Sequence, residues 1–246
     1  MPYRVPPALD RERVLRHVAH VLPVAVVLAG VAGYVNAVAL DFIATPVSHM
    51  SGAVSHLGVN LGEGRMGGAL AALMIIGGFL LGAVLSGMLV GASPLGPGRR
   101  YSVALALEAV LIGVGVVVLR PDSVWGVPGL AMACGLQNAT TSSYCGMGIR
   151  TTHVTGTMTD LGVMVGHWLR HRSLDRRKFR FIAGMALGFG GGAVAGAWSV
   201  VHLGPSCLLG PAVVCAAAAA VLWWSSAPNG WLHRDLQRGE RSAHSR

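Results

Sequence analysis

Ser48-His49-Met50-Ser51-Gly52-Ala53-Val54-Ser55-His56-Leu57-Gly58 returns, 104 residues later, as Thr152-His153-Val154-Thr155-Gly156-Thr157-Met158-Thr159-Asp160-Leu161-Gly162. Without gaps, His49 aligns with His153, Ser51 with Thr155, Gly52 with Gly156, Ser55 with Thr159 and Gly58 with Gly162. Upstream, Gly33 and Asn36 align with Gly135 and Asn138 once a two-residue gap is allowed. Hydrophobic drift does not reproduce His, hydroxyl and Gly in step, so the pattern reads as an internal duplication.

The surroundings of the motif set the class of protein. The chain is 53% hydrophobic and only 12% charged, with mean hydropathy +0.58, too apolar for a water-soluble domain. Its net charge of +9 does not point to nucleic acid, because the basic residues sit in short polar stretches between apolar runs, where they set membrane orientation. Cys134, Cys145, Cys207 and Cys215 lack CxxC spacing and read as small apolar residues rather than a disulfide frame or a zinc site.

Six apolar runs are long enough to approach or exceed the hydrocarbon thickness: Val21–Leu40, Gly67–Gly91, Val103–Leu119, Val124–Ser143, Phe181–Leu203 and Cys207–Trp224. The first is long for a signal-peptide core and has a partner at Val124–Ser143, which favours a retained helix. The two copies of the motif lie in broken polar segments at 42–62 and 147–169. The expected fold is therefore all-α, a polytopic membrane bundle of two repeats with six transmembrane helices and two short broken segments. Its divisions are a basic tail (1–20), a first repeat (21–120), a second repeat (121–224) and a second basic tail (225–246). Two topologies place 16 basic residues on one side and two on the other: inverted repeats with re-entrant broken segments, or parallel repeats in which those segments cross. Arg150 would face outward in the parallel case, against the bias, so inverted repeats are expected, with both termini cytoplasmic.

A Pro/Gly break at membrane depth is tolerated only inside protein or along a wet cavity. If helices begin after each break, Ser51-Gly52 and Thr155-Gly156 stand at their starts, where hydroxyls cap and free amides favour an anion or a carbonyl group. These four residues, with Asn138 and Thr152, form the expected substrate cradle. The bland alternative is that Ser, Thr and Gly serve helix packing. Asp160, Glu108, His49, His153 and His56 are the candidates for proton or ion coupling, since ionisable side chains in a span mark pathways. His167 and His171 are four apart but lack an obvious third ligand, so no metal site is expected. No phosphate loop, His-Glu-x-x-His or Gly-x-Ser-x-Gly occurs, so neither enzyme activity nor a cofactor is expected. Gly184, Gly188, Gly192 and Gly196 draw a bare stripe along one helix, echoed by Gly78, Gly82 and Ser86; it could join the two halves or two protomers of a homodimer.

Gly33-Tyr34-Val35-Asn36-Ala37, His49-Met50-Ser51-Gly52, Gly135-Leu136-Gln137-Asn138 and Arg150-Thr151-Thr152-His153-Val154-Thr155-Gly156-Thr157-Met158-Thr159-Asp160 together resemble the YoaK-type bacterial membrane proteins, a family of uncharacterised function. The resemblance covers nearly the whole chain apart from the tails and implies a multi-pass protein of the bacterial inner membrane. That family often carries Asp where this chain has Asn36, so the first-half site is less polar here. The expected function is a small transporter or channel for a small polar solute, with an anion among the candidates, working within the lipid bilayer. The alternative is a non-transporting membrane protein that binds a partner or lipid.

Overall fold

The computed structural model describes residues 11–90, 99–120, 124–143 and 151–226, and the regular structure among them is helical throughout. The elements are α1 (Arg11–Ile43), α2 (Met50–Gly62), α3 (Met66–Val90), α4 (Arg99–Val118), α5 (Val127–Ser142), α6 (Val154–His171), α7 (Arg176–Leu203) and α8 (Leu209–Ser225). Short 3-10 turns precede α5 (Val124–Gly126) and join α7 to α8 (Gly204–Leu208).

Four stretches are long and apolar enough to cross a membrane: Leu22–Ile43, Met66–Val90, Arg99–Val118 and Arg176–Ser225, the last containing both α7 and α8. Their outer surfaces are apolar as well. Met88 is 77% exposed and Leu187 75%, with Leu80, Leu81, Val194 and Val201 beside them in the same condition. Greasy surface on this scale belongs in lipid, and the protein is a membrane-embedded helical bundle. In α3 the inward positions are the small ones, Ala69, Ala72, Gly78, Gly82 and Ser86, because packing between membrane helices rewards close backbone approach.

Three boundaries differ from the sequence reading. Helix α1 includes residues from Arg11 onward, within the expected tail, and Pro23 lies inside it. Helix α7 starts at Arg176 rather than Phe181, because Asp175 caps it: its Oδ1 accepts from the backbone N–H of Arg177 and of Lys178, both at 3.1 Å. The expected span Val124–Ser143 is α5, only 16 residues long, and it is not among the four long apolar stretches. Ten of those 16 residues are buried, so α5 is walled by protein and can carry Gln137, Thr140 and Thr141. Arg150, Cys145, residues 1–10, the 93–98 turn and the tail beyond 226 lie outside the described residues.

The bundle is built on two close helix pairs, each joining one half of the chain to the other. Gly188, Gly192 and Gly196 meet the backbone carbonyls of Val26, Gly30 and Tyr34 in that order, so α7 runs parallel to α1. Gly78 and Gly82 meet the carbonyls of Pro128 and Met132, and Ser86 Oγ bonds Thr140 Oγ1 at 2.9 Å, so α3 runs parallel to α5. The reciprocal contacts match: Gly33 lies under the Phe189 carbonyl and Gly135 under that of Phe79. Pro128 and Met132 follow Val26 and Gly30 by the same 102 residues that separate Gly135 from Gly33, while Gly188, Phe189 and Gly192 follow Gly78, Phe79 and Gly82 by 110. The glycine stripe of α7 is thus covered by α1 of the same chain, so it joins the two halves.

Helices α4 and α8 fill the remaining side. Gly115 faces Leu130 and Leu208, while Tyr101 and Ala104 cluster with Leu136 and Ser102 Oγ donates to the Ala219 carbonyl. Helix α4 therefore runs antiparallel to both α5 and α8. Leu28 clusters with Leu105 and Ala219, whereas Tyr34 Oη donates to the Cys207 carbonyl at 3.1 Å, which sets α1 parallel to α4. Consequently α1 and α5 point in opposite directions, as do α3 and α7, and α4 and α8. Arg99, Arg100 and the 170–180 basic run lie at the end where α1 begins and α8 stops; Arg65 and Arg120 lie at the other.

Candidate functional site

The first motif is placed by a chain reversal. Helix α1 ends at Ile43, and Ala44 adopts a left-handed turn with φ 50°. Ser48 then donates to Asn36 Oδ1 twice, from its backbone N–H at 3.1 Å and from its hydroxyl at 2.8 Å. The chain has doubled back by seven residues of helix, about 10 Å of depth. Val47 and Ser48 are buried there, so the non-helical backbone is enclosed by protein, as an apolar medium requires. Helix α2 begins at that depth with His49 as its N-cap residue. The His49 ring meets Phe189 of α7 edge-on, with centroids 5.5 Å apart.

The second motif is held by different partners. Gln137 Nε2 donates to the Leu28 carbonyl at 2.6 Å and to Thr151 Oγ1 at 3.2 Å, and Thr151 and Thr152 are buried. Helix α6 starts after His153, whose ring folds into the space that a Cβ at position 156 would take, so Gly156 lets the ring lie against the first turn. Val154, the first residue of α6, packs on the cluster formed by Ala25, Ala29, Ala32, Met185 and Phe189. The start of α2 thus meets Phe189 directly, and the start of α6 packs on the cluster that contains it. Neither N-cap histidine caps its helix with its side chain, and among the described residues no side-chain oxygen takes the first-turn amides.

This corrects one expectation. The residues at the cap positions are His49 and His153, not Ser51 and Thr155, and the motif hydroxyls are used along their own helices: Ser55 Oγ donates to Ser51 O, Thr157 Oγ1 to His153 O and Thr159 Oγ1 to Thr155 O. Ser and Thr within a helix make this i−4 bond readily. Ser51, Thr155, His56, His153 and Asp160 are exposed on the described structure, and Gly52 has only ordinary contacts. Asn138 does not repeat the bond of Asn36. Its Oδ1 is buried without a partner among the described residues, although Asn36 Oδ1 at the equivalent place holds Ser48.

Glu108 stands apart from the motifs. It is 1% exposed on α4, with Cys215 of α8 and Cys134 of α5 as its polar neighbours. His167 and His171 meet ring to ring at 6.1 Å at the end of α6, and no group of three His, Cys, Asp or Glu side chains among the described residues is placed to hold a metal. Asn60 braces the α2–α3 turn: its Nδ2 donates to His56 O at 2.7 Å, its Oδ1 accepts from Arg65 Nε at 3.0 Å, and Arg65 pairs with Glu63.

Phe189 was not singled out from sequence. The available signal was the Gly-Phe dipeptide that recurs as Gly78-Phe79 and Gly188-Phe189 in equivalent helices, each turning a carbonyl toward a glycine of the other half.

A protein family of unknown function, DUF1275, matches residues 24–221, which include both copies of the motif and both glycine-lined pairs. The chain belongs to that family. Membership is compatible with the YoaK-type resemblance. No curated protein and no solved structure matches the chain.

Proposed function

We propose that this DUF1275 protein is a small transporter or channel that moves a small polar solute, an anion foremost, through a site at the facing starts of α2 and α6. The observation that carries the reading is the apolar cluster of α1 and α7 around Phe189, which His49 meets from one helix start and against which Val154 packs from the other. Helix starts carry partial positive charge and free amides, and transporters with discontinuous helices bind solutes between such starts near the membrane centre. In this reading α1, α3, α4, α5, α7 and α8 cross the membrane, α2 and α6 are re-entrant, and the halves are inverted repeats. The opposed directions of α1 and α5, of α3 and α7, and of α4 and α8 support it, as does the return of the chain from Ile43 to the depth of Asn36. Both termini are assigned to the cytoplasmic side of a bacterial inner membrane by the excess of basic residues at that end.

The backbone amides of Ser51, Gly52, Thr155 and Gly156 form the cradle, with Asn138 and Thr152 behind it, and the buried Oδ1 of Asn138 offers an acceptor. His49, His153, His56 and Asp160 line the approaches. Glu108 serves proton or ion coupling from the α4–α5–α8 interface, since among the described residues its polar neighbours are thiols and none supplies a counter-charge. No catalytic role is assigned.

The first test is sidedness. In a variant lacking the four native cysteines, Glu63→Cys labels from outside whole cells with an impermeant thiol reagent and Arg100→Cys does not; the reverse result removes the facing-start site. The second is flux. Proteoliposomes are screened with small anions and neutral polar solutes, and Thr155→Pro, which deletes one cradle N–H within the first turn of α6, and Asp160→Asn are compared with the parent. Flux unchanged in both variants would show the assignment to be wrong. A non-transporting, partner-binding membrane protein is the second reading, favoured by the hydroxyls of Ser55, Thr157 and Thr159 being bonded along their own helices.

A further inference from the structure

On the outward side of α4 and α8 an open groove of about 780 Å³ runs between the two helices. Alanines keep it open: Ala106 and Ala109 on one wall, Ala212 and Ala216 on the other. The Ser102–Ala219 hydrogen bond, at 2.5 Å, ties the helices together near one end, where Trp223 and Trp224 also line the groove. A trough of methyl and branched surface accepts hydrocarbon and offers nothing to a polar ligand.

The end of the groove adds the information that the trough lacks. The Arg99 guanidinium lies over the Trp223 ring, 4.9 Å from its centroid, and Arg100 is exposed beside it. Stacking uses the face of a guanidinium and leaves its N–H edge, and among the described residues no side chain or carbonyl takes that edge. A planar fork of donors held in place matches a phosphate diester. Tryptophans mark the headgroup level of a membrane, so the cations stand at headgroup depth and the alanine trough at acyl-chain depth.

We propose that the α4–α8 groove binds one phospholipid with an anionic headgroup, its phosphate on Arg99 and Arg100 and an acyl chain along the alanine trough. A second copy of this chain fits the groove less well. A two-fold contact about the membrane normal would bring Arg99 and Arg100 of both copies to the same end, like charge against like.

The test uses the full-length protein released from nanodiscs of mixed phosphatidylglycerol and phosphatidylcholine and weighed by native mass spectrometry. The expected result is one phosphatidylglycerol retained in preference to phosphatidylcholine. Each arginine near an anionic headgroup is worth about fivefold in affinity, so Arg99→Gln with Arg100→Gln lowers phosphatidylglycerol retention by roughly thirtyfold. Ala216→Leu fills the trough and displaces either lipid. Equal retention of the two lipids, or retention unchanged in the arginine variant, overturns the proposal. So does a dimer that Ala216→Leu converts to monomer, which would assign the groove to a second copy. The arginines are exposed, so their replacement leaves helix packing in place and decides the matter even where Ala216→Leu does not fold.

Discussion

Replacing Gly188 by Ala tests the α1–α7 pair at one of its close glycine–carbonyl contacts. The added Cβ would stand 2.5 Å from the Val26 carbonyl oxygen and 3.1 Å from Val26 Cγ1, against the 3.4 Å at which ordinary contact begins. That oxygen belongs to a helix backbone and does not rotate away, so α1 must shift as a body. Overpacking of this kind costs about 1–3 kcal/mol. Alanine recovers up to about 1 kcal/mol over glycine through helix propensity. The propensity gain is common to Gly188→Ala and Gly191→Ala, so overpacking alone separates the two variants by about 1–3 kcal/mol, a Tm difference of about 2–12 °C for a chain of this length. Gly191→Ala, three residues along the same helix, meets nothing within 4 Å and keeps the propensity gain, so its Tm is unchanged or higher. Gly78→Ala repeats the experiment on α3, where the obstacle is the Pro128 carbonyl, also at 2.5 Å. A thiol-reactive fluorophore in detergent reads unfolding directly, because Cys134, Cys207 and Cys215 are buried. Equal melting of Gly188→Ala and Gly191→Ala would refute the close approach of α1 and α7.

Other changes follow from single residues. Ala44→Gly relieves a left-handed residue whose methyl is exposed, and raises stability by about 1 kcal/mol in the same melting assay; a fall would contradict the φ of 50°. Gln137→Leu removes the donor shared by Leu28 O and Thr151 Oγ1 and lowers stability by about 1–2 kcal/mol, with loss of protease protection at the start of α6 as the local readout. Asp175→Ala uncaps α7 and lowers stability by about 0.5–2 kcal/mol, while Asp175→Ser retains most of it; two equal variants would show the cap to be idle.

Much of this architecture was legible in the residues. The motif pair marked both places where the chain leaves and re-enters a helix, because a backbone break in lipid must be marked by residues that tolerate it. The glycine stripes announced a close helix pair, although periodicity has no means of naming the partner, and the partner proved to be α1. Helix α5 shows where the reading of spans ran short: with ten of its 16 residues buried, it carries Gln137 and Thr140 and lacks the uniform apolarity by which a span is recognised. The Ser51 and Thr155 hydroxyls misled the reading of the site. Spacing places a hydroxyl near a helix start, but whether it caps depends on where the helix begins, and here each helix begins one residue after a histidine. Phe189 escaped notice because a phenylalanine in an apolar run has no pattern to distinguish it from its neighbours.

The pairing of α1 with α7 and of α3 with α5 has a consequence for biosynthesis. Gly30 and Gly192 touch across 162 residues of chain, so α1 enters the membrane long before its partner exists. Until translation reaches α7, its glycine-bearing face, with Gly33 at the centre, has only lipid or the insertion machinery against it. Neither half therefore has a finished core of its own, and folding is delayed to the end of synthesis, as expected where contacts are long-range. Two separately expressed halves, divided at residues 121–123, would each be held open at the same two faces, and co-expression would restore what neither forms alone.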